Sequence, residues 1–423
     1  MLKEFMSVVL ALGLVLGGGS TAKNEEKDLT DKVEKQEITA VDLTSSEYAK
    51  ISPKEELTQF SIELLQENFK DKNILISPLS IISALGMTAN GADGQTKTQM
   101  EQVFGTDVDT LNDYLYAYIT GLPDTKDNQI NLANSIWIRD NNGLKVKSDF
   151  LKTTKTYYDS QVYQAPFDNK TKNQINEWVK KETDGMIPKI LEKAPSKEAV
   201  MYLVNALSFD GKWEEPYRDF QLEDGIFTTQ SGEKQDVSFM NDTLWGYIRL
   251  ENAGGFSKSY RGGQYEFVAL LPDKDITMEE FLKTLDGEKL IQSLKNRQPK
   301  SVQTKLPKFL TEYSSKLNDS LKALGMGDAF SPEKADFSKM ASSKQGNIYI
   351  NDVIHKTKIE VNEKGTKAAA VTMVEMNQEA AMEEEEPEKI YLDRPFFYMI
   401  VDTEQNFPVF MGSLMEVNPE SVE

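Results

Sequence analysis

This sequence predicts an α+β fold: one large mixed domain over residues 53–423, behind an N-terminal tail. Three observations carry that expectation. Phe267-Val268-Ala269-Leu270-Leu271 is an unbroken apolar run of the length of a buried strand. Ile175-Asn176-Glu177-Trp178-Val179-Lys180-Lys181 sets Ile175, Trp178 and Val179 on one side of an amphipathic helix. Strand-like and helix-like stretches of these kinds mix throughout. No Pro/Gly/Ser-rich linker and no repeat divides the 423 residues, although that length alone would allow two or three domains.

The tail has two parts. Ser7 to Leu16 is apolar, with Lys3 before it and Gly17-Gly18-Gly19-Ser20-Thr21-Ala22 after it. Such a run is too short to cross a bilayer as a mature helix and suits the core of a signal peptide. Residues 1–22 therefore read as a signal-peptide-like segment, which predicts export, either secreted or to the cell surface. Glu4 cancels Lys3, so the charged start is weak, and a buried terminal strand is the competing reading. The segment resembles a bacterial lipoprotein signal without its cysteine. Residues 23–52 are charged and polar with few large apolar groups, and read as a disordered spacer.

Composition excludes several classes of function. With no cysteine there are no disulfides, thiol chemistry, lipid attachment through sulfur or Cys-ligated metal. A formal charge of -20 disfavours nucleic acid, which needs a basic surface, and favours solubility and a cationic partner. His355 is the one histidine. HExxH, EF-hand, Walker, GxGxxG and GxSxG patterns are missing, so no metal, no cofactor and no catalytic residues are expected. The carboxylates are numerous enough to contain a glycosidase pair, but nothing singles one out.

One segment stands apart. Residues 363–375 read Glu-Lys-Gly-Thr-Lys-Ala-Ala-Ala-Val-Thr-Met-Val-Glu, after a β-rich stretch ending at Lys358-Ile359-Glu360-Val361. Gly365 supplies a hinge with free φ. Thr366, Ala368, Ala370 and Thr372 fall on one face if the chain is extended, and all are small. An exposed loop, an Ala-rich helical turn and a strand within a sheet all remain open on these residues alone.

From about residue 54 to 418 the chain resembles a serpin, through blocks in family order. Asn73-Ile74-Leu75-Ile76-Ser77-Pro78-Leu79-Ser80 resembles the entry into a family helix. Leu132-Ala133-Asn134-Ser135-Ile136-Trp137 and Leu203-Val204-Asn205-Ala206-Leu207-Ser208-Phe209-Asp210-Gly211-Lys212-Trp213 resemble central strands of the main sheet. Leu306-Pro307-Lys308-Phe309, Ile354-His355-Lys356, Arg394-Pro395-Phe396 and Pro408-Val409-Phe410-Met411-Gly412 follow.

The resemblance implies several helices around three β-sheets, and an exposed reactive-centre loop whose hinge is Glu363, Gly365, Thr366, Ala368, Ala369 and Ala370. It implies suicide inhibition of serine proteases by a monomer: the loop is cut, and its N-terminal part enters a five-stranded sheet with Thr366 first. Lys367 stands where the family usually has Glu. Ser77, Ser80, Asn205 and His355 would form the shutter where the sheet parts, with Trp213 at the breach above. Family spacing from Glu363 puts the cut between Glu379 and Ala380, whereas counting back from Pro395 places it later. The reactive-centre candidates are therefore Met376, Glu379, Ala380, Ala381 and Met382. Small apolar residues suit an elastase-like protease, and Glu suits a glutamyl-specific one. No Arg or Lys lies between Lys367 and Lys389, which disfavours trypsin-like targets. The acidic run Glu383 to Glu386 is a solvated stretch or a means of steering a basic protease. A non-inhibitory member acting as a binding or chaperone-like protein is the alternative.

Overall fold

A seven-stranded sheet organises the molecule. Its strands are, in chain order, β1 (Lys27–Asp28), β2 (Asn128–Arg139), β3 (Gln161–Ala165), β4 (Met201–Lys212), β5 (Phe309–Lys316), β6 (Asp352–Asn362) and β7 (Gly365–Thr366). In space they run β1-β3-β2-β4-β7-β6-β5. The computed structural model describes residues 26–45, 48, 51–122, 127–140, 143–196, 198–344, 346–366 and 386–417.

β4 is central, and its side chains alternate with period two between two cores. Tyr202, Val204 and Ala206 face helix α2 (Asn169–Glu182), where they pack with Ile175 and Val179. Asp168 caps that helix and Thr171 answers it. The expected amphipathic stretch thus lies inside α2, with Trp178 partly buried at its margin. Leu203, Leu207 and Phe209 face the opposite way, into the main core. A nine-stranded sheet lies on that side, and the expected strand at Phe267–Leu271 falls within its Tyr265–Pro272 element. A two-stranded pairing makes the third sheet. Helix α1 (Pro78–Ala89) is buried along its whole length. No helix among the described residues is long and apolar enough to cross a membrane.

The spacer reading needs correction for residues 26–45. β1 pairs with the outer edge of β3, Lys27 opposite Gln164 and Asp28 opposite Tyr163. The Leu29 amide donates to the Val162 carbonyl at 2.8 Å, and the Gln36 amide to Thr156 Oγ1 at 2.9 Å. Leu29, Val41 and Leu43 pack on the main core. Low apolar content did not prevent order because the open edge of β3 offers backbone partners that make no demand on side-chain type.

Candidate functional site

The sheet is open at one end and closed below it. From Asp352↔Tyr202 to Thr357↔Leu207, β6 and β4 pair directly in parallel. Above that they separate, and β7 lies between them, Thr366 opposite Val361 on one side and Gly211 on the other. Gly365–Thr366, expected as part of the hinge, therefore lie in the gap. Thr366 was expected as the first residue to enter the sheet after cleavage; it is inside the sheet with the loop intact, fully buried.

Two glycines permit this. At Gly365 (φ 153°) a Cβ would overlap the Gly211 carbonyl and approach the Lys212 Cα to 2.8 Å. At Gly211 a Cβ would overlap the Phe209 ring. Bare backbone on both strands is what lets them approach so closely.

The turn leading into β7 is held carbonyl by carbonyl. Trp213 Nε1 donates to the Asn362 carbonyl at 2.8 Å, the Trp213 amide to Lys364 at 3.0 Å, and the Tyr217 amide to Glu363 at 2.9 Å. The Glu363 carboxylate meets Lys308 Nζ at 2.9 Å. Burial pushes that carboxyl up, but the Lys308 ammonium, a backbone hydrogen bond and the nearby Lys364 charge together hold the group below its ordinary range. Trp213, the expected breach residue, is fully buried and stacks on Tyr260 at 4.5 Å with an interplanar angle of 13°. The Tyr260 hydroxyl meets Thr366 Oγ1 at 2.6 Å. Lys258 lies 4.3 Å over the Tyr217 ring and pairs with Asp242 at 2.7 Å.

The residues expected at the shutter meet in the closed part of the sheet. His355 and Asn205 are register partners, as are Asn205 and Asn134. The Ser77 backbone amide donates to His355 Nε2 at 3.2 Å. An amide can only donate, so Nε2 accepts and the proton sits on Nδ1, which donates to Asn205 Oδ1. Asn205 Nδ2 donates in turn to Asn134 Oδ1 at 2.8 Å, which also faces Ser80 Oγ at 3.4 Å. Burial pushes the His355 pKa down to about 3, so the ring is neutral. Ser77 and Ser80, expected beside His355, do not reach the imidazole through their hydroxyls. Ser77 uses its backbone, its hydroxyl accepting from the Ser80 amide as the cap of α1, and Ser80 acts only through Asn134.

Asn134, Gly211 and Tyr260 were not singled out by the sequence. Asn134 lies inside a strand block that the resemblance quoted, and its polarity amid apolar neighbours was the available signal. Tyr260 carried none, because only the fold brings it to Thr366. Ala368, Ala369, Ala370 and the reactive-centre candidates Met376, Glu379, Ala380, Ala381 and Met382 lie outside the described residues.

The serpin (serine protease inhibitor) family model matches residues 55–417. Leukocyte elastase inhibitor A of Mus musculus is 31% identical over 378 residues, covering 84% of this chain and 97% of its own. The native-state crystal structure of the thermophilic serpin tengpin is 42% identical, with a TM-score of 0.86 over 93% of this chain and all of its own. The latent state of the same relative covers 91% of this chain and all of its own, at 41% identity and a lower TM-score of 0.76.

Proposed function

The chain belongs to the serpin family, and from that premise we propose that it traps elastase-like serine proteases by inserting its cut reactive-centre loop between β4 and β6. The family consists in the main of inhibitors of serine proteases, and not of catalysts. The observation that carries the mechanism is the wedge of Gly365–Thr366 between two strands that rejoin below it. Such a gap would admit a new strand between β4 and β6, and Gly365–Thr366 lie at its upper end.

The protease serine attacks the scissile carbonyl, the peptide C–N bond breaks, and the new amine leaves with a proton from the enzyme's histidine. The loop's N-terminal part then stays joined to the protease by an ester. As it zips down between β4 and β6, the tethered enzyme is drawn along and its active site distorted. Hydrolysis of the ester competes, so insertion must be fast. Small inward side chains at Thr366, Ala368 and Ala370 favour speed, since nothing bulky or charged has to be buried.

Elastase-like specificity rests on Ala380, Ala381 and Met382, and on the likeness to a leukocyte elastase inhibitor. The charge of -20 favours a basic protease. Residues 1–22 support export, so that inhibitor and target meet outside the cell. In the test, the protein is incubated with pancreatic and neutrophil elastases, a trypsin-like and a glutamyl protease. An SDS-resistant complex with an elastase is expected, with a released peptide starting between Ala380 and Glu383. If every elastase cuts the loop and stays active, the reading fails.

A further inference from the structure

The Tyr260 ring is fixed from several sides. It stacks on Trp213, meets the Phe209 ring edge at 4.8 Å, and is fully buried. Its backbone begins a tight turn: the Tyr260 amide donates to the Tyr265 carbonyl at 3.0 Å across Gly262 and Gly263, both in the left-handed region. The Arg261 amide donates to the Lys212 carbonyl at 2.9 Å, tying that turn to the end of β4. Gly211 leaves room for the ring, since a Cβ there would sit 3.0 Å from Tyr260 Cδ1. A rigid hydroxyl is thereby aimed at the position where the inserting strand starts. It finds Thr366 Oγ1, a buried group that needs a partner.

We propose that Tyr260 is the positioning residue of the insertion step: its hydroxyl holds Thr366 in register between β4 and β6 before the loop is cut. This rests on the insertion mechanism proposed above. The first contacts of a new strand order several residues for little gain, whereas later residues each add bonds to a ladder already begun. With Thr366 paired and held, insertion starts at the growth stage. Without the hydroxyl, the Thr366 side chain is left buried and unsatisfied, which favours its withdrawal. The hinge then has to find its register after cleavage, while ester hydrolysis proceeds at its own rate. Tyr260 thus sets how cut molecules divide between trapping and turnover.

The test uses Tyr260→Phe, Thr366→Val, the double variant and Thr366→Ser. The chain has no cysteine, so Val371→Cys, outward in the alternation that puts Thr366 and Thr372 inward, accepts one environment-sensitive dye in each background. Insertion is timed by the dye after the loop is cut with a protease that is not trapped; trapping is read separately as inhibitor consumed per elastase inactivated. Tyr260→Phe and Thr366→Val should each slow insertion about fivefold or more, the size expected when one buried partner is orphaned. The double variant should be no slower than either single one, and Thr366→Ser should match the parent. A purely structural role would give effects that multiply in the double variant, and would overturn the proposal. So would insertion at the parent's rate in Tyr260→Phe. If the parent inserts its cut loop yet traps no elastase, the inhibitor reading fails while the dye kinetics still decide the role of Tyr260. If the parent does not insert at all, both fall.

Discussion

Lowering the pH from 7 to 5 should weaken this protein through a single side chain. His355 is the chain's one histidine and is fully buried, with burial pushing its pKa down to about 3 from the usual 6.5. The unfolded chain therefore binds a proton near pH 6.5 that the folded chain refuses. Stability from this group is fully present above pH 6.5 and is lost as pH falls from there toward 3. The slope is about 1.4 kcal/mol per pH unit once the unfolded histidine is charged. Integrated from pH 7 to 5, the loss is about 2 kcal/mol. A protonated ring would also turn an Nε2–H against the Ser77 amide, donor against donor. Asp402, raised by burial, acts in the opposite sense: its contribution is present below pH 3.8 and lost as pH rises through its folded value. The control is His355→Gln, whose amide can donate to Asn205 and accept from Ser77 without titrating, while Asp402 is unchanged. Urea midpoints of both proteins are compared across pH 5 to 7. With a urea slope of roughly 3 kcal/mol per M, the parent's midpoint should fall by about 0.7 M more than the variant's. Parallel pH profiles for the two proteins would refute the reasoning.

Two further outcomes follow from the same geometry. Gly365→Ala places a methyl on the Gly211 carbonyl, so the hinge should leave the sheet; the loop should still be cut while elastase stays active, read as a rise of about tenfold or more in inhibitor consumed per enzyme trapped. Removing residues 1–45 takes away the β1 pairing and the Gln36–Thr156 bond and uncovers the edge of β3. At about 1 kcal/mol per bond the loss is a few kcal/mol, and the melting temperature should fall by about 5 °C; an unchanged melting temperature would show that this segment adds nothing to the fold.

The sequence made some of this legible because certain residues announce their constraint locally. A run of small residues after Gly365 can enter a sheet whatever surrounds it. The block inside β4 was found through its resemblance to a family strand, and its alternation between two buried faces became visible only in the fold. The resemblance placed Asn205 beside the lone histidine, and the two do meet, as a buried imidazole requires a polar partner. The rest depended on distance along the chain. Tyr260 and Thr366 are 106 residues apart, and nothing near either hints at the other. Ser77 was named beside His355, but that it acts through its backbone amide was not legible, because side-chain chemistry is printed in a sequence and main-chain direction is not. β1 was missed because pairing to an open edge uses groups that every residue carries.

The two polar clusters act on opposite ends of one movement. A strand entering from Thr366 must part the six register pairs from Thr357↔Leu207 to Asp352↔Tyr202, and His355↔Asn205 is among them. Each parted pair is replaced by pairing on both sides of the newcomer, so a completed insertion gains one ladder net. The gain arrives only as residues are added, whereas the buried bonds from Ser77 through His355 and Asn205 to Asn134 resist at a fixed depth. A catch at the top with no lock below would let the loop drift in uncut. A lock with no catch would leave the cut strand searching for its start while the ester hydrolyses. Under the proposed mechanism, Tyr260 at the open end of the sheet and His355 in its closed part would together make insertion slow before cleavage and fast after it, provided that cutting the loop frees the strand to pull. Loosening His355 should therefore hasten uncut insertion, while losing the Tyr260 hydroxyl should slow cut insertion.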